Sequence, residues 1–220
     1  MNRRAIIFCN GDLADVSRVR RYIDKKTLLV GCDGGASHIL SLGLVPHVVI
    51  GDFDSISKKT QRLLIRKKVE LIKYPAEKDI TDSELGLQYA IQKGAKEIIL
   101  AGVRGTASDH FIGNLLMLAK KKYAGLSIKI VEGKEEMRLI RKHIRITGKK
   151  GDIVSLLPIG PDVRGITTRG LFYPLKKAIL KSGTARGIRN RMTGKHAEIT
   201  VQKGTLLIIH HFGSNLSRNR

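Results

Sequence analysis

Val48-Val49-Ile50-Gly51-Asp52-Phe53-Asp54-Ser55 joins a short apolar run to a glycine and two carboxylates one residue apart. The run reads as a strand, and the acidic turn marks where the chain leaves the core. The same grammar recurs: Cys32-Asp33-Gly34-Gly35 follows Leu28-Leu29-Val30, while Asp79-Ile80-Thr81-Asp82 and Ser108-Asp109-His110 each open a helical segment. Apolar runs at residues 5–9, 27–32, 48–50, 69–72, 97–101 and 127–131 alternate with segments of helical character. That alternation predicts an N-terminal α/β domain over residues 1–133, with a mostly parallel, Rossmann-like sheet covered by helices. In such a sheet several strand ends meet at one crevice, so carboxylates distant in sequence converge there. With 19 acidic residues against 41 basic ones, their clustering is informative.

Helix punctuation fits this reading. Thr81-Asp82-Ser83-Glu84 has the form of a capping box, and Gly94 stops the segment it opens. After about residue 133 the texture changes to short apolar alternations: His143-Ile144-Arg145-Ile146, 153–157, 166–168, 197–201 and 206–209, with glycine-containing turns between them. These predict a C-terminal all-β sandwich over residues 141–212, with a boundary between Gly133 and Arg141 and a frayed last eight residues.

Composition narrows the function classes. The chain of 220 residues is long enough for one large domain or two compact ones, and no apolar stretch approaches a membrane span. Polar Asn10 and acidic Asp12 interrupt the opening run before a signal-like core develops, so it reads as the first strand. Cys9 and Cys32 end apolar runs and lack metal-ligand spacing, which predicts free buried thiols, no zinc site and a reducing, cytoplasmic setting. The formal charge of +22 attracts phosphate in any form. Its cations are scattered, however, no nucleic-acid fold signature accompanies them, and aromatic residues are scarce, so they read as solvated faces.

The acidic clusters carry specific chemistry. Two carboxylates leaving one strand end suit a hard cation such as Mg²⁺, which takes one or two carboxylates and completes its shell with waters and phosphate oxygens. A helix-capping turn is the plainer reading of the same residues. Lys78-Asp79-Ile80-Thr81-Asp82 adds a cation for phosphate at a helix start. Thr81 and Glu84 are explained by the capping box, which leaves Asp82 as the better ligand candidate. The paired glycines Gly34 and Gly35 permit close backbone approach to a nucleotide, although a strand-to-helix turn explains them too. Gly102-Val103-Arg104-Gly105-Thr106 resembles a phosphate-approach loop without the lysine ending of a P-loop. Asp109 can cap its helix, and His110 can be a hydrogen-bonded core residue.

Taken in order, Asp33-Gly34-Gly35-Ala36, Gly51-Asp52-Phe53-Asp54-Ser55, Lys78-Asp79-Ile80-Thr81-Asp82 and Ser108-Asp109-His110-Phe111-Ile112-Gly113-Asn114-Leu115 resemble the thiamine pyrophosphokinase family. The resemblance continues through Gly151 to Pro158, Gly170-Leu171-Phe172-Tyr173-Pro174-Leu175 and Gly187-Ile188-Arg189-Asn190. It implies an ATP-binding catalytic domain, a thiamine-binding β-sandwich and a homodimer with active sites between subunits. It also implies transfer of the diphosphate of ATP to the hydroxyl of thiamine, giving thiamine diphosphate and AMP by attack at the β-phosphorus.

On that resemblance Asp52, Asp54, Asp82 and Asp109 are the catalytic candidates, the first three as Mg²⁺ ligands. Asp33, Gly34, Gly35, Lys78, Asp79, Arg104 and His110 are assigned to ATP, and Asn114, Tyr173 and Asn190 to thiamine. Three departures stand out. Ala107 occupies the place of a family arginine, leaving Arg104 upstream; Arg189-Asn190-Arg191 replaces Ser-Asn-Glu; and no tryptophan is available for the thiamine rings, with Tyr173 the aromatic candidate. The added cations keep open a diphosphokinase for another hydroxymethyl heterocycle, such as a reduced pterin. A catalytically inactive, basic nucleic-acid-binding protein is the alternative of another class.

Overall fold

Ile6 shows why the N-terminal strands form where they do: it is fully buried and registers with Leu29 on one side and Ile99 on the other. The computed structural model describes residues 3–213 apart from Ala14 and Thr106. Met1 and Asn2 of the opening run, Thr106 of the loop after the fifth apolar run, and most of the expected frayed tail, from Ser214 onward, lie outside the described residues. The chain divides into two units, Met1–Gly133 and Lys134–Arg220.

In the first unit the strands are β1 (Arg3–Phe8), β2 (Leu28–Cys32), β3 (Val48–Gly51), β4 (Glu70–Lys73), β5 (Ala95–Ala101) and β6 (Ser127–Glu132). They lie in the order β4-β3-β2-β1-β5-β6, and every adjacent pair is parallel. The helices are α1 (Ser17–Arg20), α2 (Gly35–Ser41), α3 (Lys58–Arg66), α4 (Asp82–Gln92) and α5 (Ser108–Met117). Ile6, Phe8, Leu29 and Ile99 of the strands pack with Val19 and Ile39 of α1 and α2, while Val49 packs with Ala36, Ile56 and Leu64. Truncating one of these fully buried aliphatics to alanine costs about 2–5 kcal/mol, the lost transfer energy plus a cavity.

Thr81 is the N-cap of α4, its hydroxyl accepting from Glu84 N at 3.3 Å. Only half of the expected capping box is present. The Glu84 carboxylate turns away, accepting from Lys120 Nζ at 2.6 Å and from the Tyr123 hydroxyl at 3.0 Å, with Lys122 Nζ 3.0 Å away. Two lysines and a phenol outcompete one backbone N–H for a buried carboxylate.

The second unit is entirely antiparallel: β7 (Glu135–Ile140), β8 (His143–Thr147), β9 (Ile153–Arg169), β10 (Ala178–Leu180), β11 (Asn190–Arg191), β12 (His196–Thr200) and β13 (Lys203–His211). The two strands expected at 153–157 and 166–168 are one 17-residue strand. Its first half pairs with β13 and its last residues with β12, and glycines at positive φ, Gly160 and Gly165, let it bend between them. Val154 and Leu156 from one half, Val163 and Ile166 from the other, and Ile199 and Ile208 share one core. β7 fills the stretch read from sequence as the boundary. Its charges hid it: Glu136 is buried against Arg138 at 2.6 Å, and Glu135 meets His211 at 2.9 Å. Among the described residues no helix is long and apolar enough to cross a membrane.

Candidate active site

The order of the strands decides where a site can form. From β1 the chain builds outward through β2, β3 and β4, then returns to place β5 on the other flank of β1. The carboxyl ends of β1, β2 and β5 therefore diverge around a crevice at the switch point, the usual ligand position in an open α/β sheet. The first unit has a cavity of about 660 Å³ there. Cys9 to Asp12 after β1, Cys32 and Asp33 after β2, the segment Lys78–Ser83, Gly102 and Val103 after β5, and His110 and Asn114 of α5 line it.

Asp33 sits at the centre. Its backbone is left-handed, at φ 47°, and its N–H donates to Ile50 O at 3.0 Å. That conformation aims the carboxylate at the turn after β3, where Oδ1 accepts from Phe53 N at 3.0 Å. Gly51 makes the approach possible, since a Cβ there would lie 1.8 Å from Asp33 Oδ1. Burial pushes the Asp33 carboxyl up to about 7 against the pull of the Phe53 N–H, and the negative charges of Asp82 and Asp52 raise it further.

Asp82, in the first turn of α4, brings the second carboxylate. Its Oδ1 is 3.1 Å from Lys78 Nζ, yet that oxygen is buried and makes no hydrogen bond. The Lys78 ammonium donates to Pro75 O at 2.9 Å instead. Asp52 accepts from Asp54 N at 2.9 Å, which is the first cause holding its carboxyl below the usual range. Asp79 and His110 also line the crevice, with His110 exposed rather than in the core position that was one reading of it.

Several expected site residues fall elsewhere. Asp52, Asp54, Arg104 and Asp109 are not among the lining residues. Asp54 and Asp109 are exposed, and Asp109 Oδ1 accepts from His110 N without capping α5. The Arg104 guanidinium stands 5.1 Å over the Phe111 ring. Among the described residues no three His, Cys, Asp or Glu side chains are close enough to hold an ion by themselves, so Asp52, Asp54 and Asp82 do not form a preassembled ligand set. Gly34 and Gly35 serve the fold: a Cβ on Gly34 would strike the Asn10 side chain at 1.8 Å, and one on Gly35 the Phe8 carbonyl at 1.9 Å.

Asn114 lines the crevice, but its Oδ1 accepts from the Ser83 hydroxyl, tying α5 to α4. In the second unit, Asn190 is buried with both ends of its amide engaged. Oδ1 accepts from Tyr173 N at 3.0 Å and Nδ2 donates to Tyr173 O at 2.7 Å. Asn190 thus fastens a turn rather than offering a free amide. That turn presents Phe172 and Tyr173, 54% and 60% exposed, edge to face at 4.9 Å, with the Arg191 guanidinium 4.4 Å from the Phe172 ring.

The turn after β1 lies outside the residues that the sequence singles out. Asn10-Gly11-Asp12 has the turn chemistry of the other strand ends but only one acid, so in sequence it shows only as an interruption of the opening run. Gly11 is pressed against the β5 turn, where a Cβ would lie 2.0 Å from Arg104 O, and Gly11 O accepts from His38 Nε2 at 2.8 Å.

A parallel sheet with a carboxylate-lined crevice at its switch point, in one chain with an antiparallel β unit, places the chain among α/β proteins that take ligands at the carboxyl ends of their strands. Family models for the catalytic domain of thiamin pyrophosphokinase and for its vitamin B1 binding domain match residues 19–130 and 141–206. The thiamine pyrophosphokinase of Bacillus subtilis (strain 168) is 30% identical over 190 residues, covering 86% of this chain and 89% of that protein. The crystal structure of the Bacillus subtilis protein superposes with a TM-score of 0.86 at 28% identity, over 96% of this chain and 99% of that one. The Geobacillus thermodenitrificans thiamin pyrophosphokinase gives 0.84 at 26% identity with the same coverage. The chain belongs to the thiamine pyrophosphokinase family.

Proposed function

We propose that this chain is a thiamine diphosphokinase: it moves the diphosphate of ATP to the hydroxyl of thiamine, forming thiamine diphosphate and AMP. The observation that carries the site assignment is the meeting of Asp33 and Asp82 beside Lys78 in the crevice at the strand switch point. The parallel strand order around that crevice supports a Rossmann-like reading of the first unit, and the two halves of β9 sharing one core support a β-sandwich reading of the second.

The donors fit a magnesium ion. They are carboxylate oxygens, Asp82 Oδ1 is buried without a hydrogen bond, and Asp33 feels the negative charges of Asp82 and Asp52. Asp82 would hold the ion, with Asp52 and Asp54 on the adjoining turn completing the protein's share. Bound there, the ion supplies charge neutralisation to the triphosphate. Lys78 offsets charge on the phosphates, Asp79 and His110 orient the nucleotide, and Arg104 and Asp109 act from the rim. Asn114 and Asn190 act on thiamine by fixing α5 and the Phe172–Tyr173 turn, and Tyr173 offers its ring. Positioning and electrostatics supply the acceleration, since phosphoryl chemistry asks little covalent work of the protein.

The enzyme is proposed to be a cytoplasmic homodimer with its sites at the subunit interface. Its two free buried thiols suit a reducing compartment. α5, which carries His110 and Asn114 on the crevice, exposes Ile112 and Leu116 one turn apart. The test is release of AMP from ATP and Mg²⁺ on addition of thiamine, with a hydroxymethyl pterin assayed alongside. Asp82→Asn is expected to lower turnover at least ~100-fold with the fold retained by circular dichroism. Full activity in that variant removes Asp82 from the reaction, and release of AMP only with the pterin rejects thiamine as acceptor.

A further inference from the structure

We propose that Glu132, at the end of β6, is a positioning residue for the nucleotide: its buried carboxylate fixes the turn Gly102–Arg104 that forms one wall of the crevice. This rests on the nucleotide reading of that crevice. Glu132 is 6% exposed, and its Oε1 accepts from Val103 N at 2.6 Å. Burial pushes its carboxyl up to about 7, while the Val103 N–H, the positive charge of Arg104 and the N–H groups of Arg104 and Gly102 all favour the anion. Gly102 is left-handed, at φ 67°, so consecutive N–H groups face one concavity. A concavity of that kind ordinarily receives an anion from outside. Here the protein's own side chain occupies it.

The occupancy changes what the turn does. Its N–H groups face Glu132, and its carbonyls are taken from the other side, Gly102 O by Gly11 N at 2.7 Å and Arg104 O by Asp12 N at 2.5 Å. Glu132 therefore holds the β5 turn, and through it the Asn10–Asp12 turn, and both line the crevice. The loop that resembled a phosphate cradle is instead a clamped scaffold whose position depends on one carboxylate from β6. The Arg104 charge on the turn faces Glu132, and the Asp15 Cβ comes within 3.8 Å of a Cβ built on the neighbouring Gly133.

The experiment measures the dissociation constant of a nonhydrolysable ATP analogue with MgCl₂ by calorimetry, and kcat and KM for ATP, in wild type, Glu132→Ala and Glu132→Gln. Glutamine keeps an acceptor oxygen for Val103 N. Glu132→Ala is expected to weaken analogue binding and raise the KM for ATP at least ~10-fold while kcat changes less than ~3-fold, because uniform binding is lost rather than a group acting only in the transition state. Glu132→Gln is expected to restore both to within ~3-fold of wild type. A role in stability alone would lower the melting temperature and leave the KM unmoved, and that outcome overturns the proposal. So does a glutamine variant as impaired as alanine. Should Glu132→Ala not fold, Glu132→Asp decides, since it keeps the charge but draws the oxygens back by one methylene: analogue binding at least ~5-fold weaker supports the assignment and unchanged binding overturns it. Failure of wild type itself to bind the analogue would instead fell the nucleotide reading, and this proposal with it.

Discussion

Gly51 carries more of the site than its size suggests. Its φ of 150° and the 1.8 Å between a built Cβ and Asp33 Oδ1 mean that any side chain there displaces the carboxylate at the centre of the crevice. Gly51→Ala is expected to cost about 2–4 kcal/mol, combining backbone strain with displacement of a buried group, and to weaken nucleotide binding in parallel. Urea titration and analogue calorimetry check the two effects, and a variant stable as wild type would show that Asp33 has room to move. At this scale the sequence was partly legible. Asp33 at a strand end and Asp82 at a helix start were visible because clustered acids in a basic chain are conspicuous. Glu132 was not, since nothing in Ile130-Val131-Glu132-Gly133 shows that a turn some thirty residues earlier needs its carboxylate. The structural duty of Gly34 was likewise hidden, because its partner, Asn10, lies on another strand end.

Among the elements, α4 is held at its start by two different kinds of contact. Thr81 caps it, and Glu84 one turn in is bound by Lys120, Lys122 and Tyr123 beyond the end of α5. Burial alone would raise the Glu84 carboxyl, but these donors hold it at about 2. Its stabilising effect is thus complete above the ordinary value of 4.5 and fades as pH falls through about 2. Glu84→Gln is expected to lose about 2–3 kcal/mol at pH 7, with the gap from wild type shrinking between pH 4.5 and 2; denaturant unfolding across that range checks it. A gap independent of pH would mean that packing, not ionisation, ties α4 down. Element identity was readable where period and punctuation agreed, as in the six apolar runs and in α4. It failed where charge sat on a buried strand, as in β7, and where one strand bends and changes partner without ending, as in β9.

For the whole molecule, the exposed apolar pair on α5 has a direct consequence if the protein works as a homodimer. Ile112 and Leu116 are 51% and 50% exposed. Replacing both with glutamate is expected to halve the mass seen by light scattering at micromolar concentration, because desolvated like charges oppose association; an unchanged mass would place the subunit contact elsewhere. The formal charge of +22 left this question open, since a net charge singles out no face of the molecule.

β1 has β2 on one side and β5 on the other, with Arg3 registering against Ala95. During synthesis β1 therefore waits until β5 has been made before its second edge is covered. Such a long-range pairing closes late and folds slowly, and an apolar, unpaired edge invites other chains meanwhile. Fragments ending before Ala101 should accordingly collect as aggregates rather than as a smaller soluble enzyme.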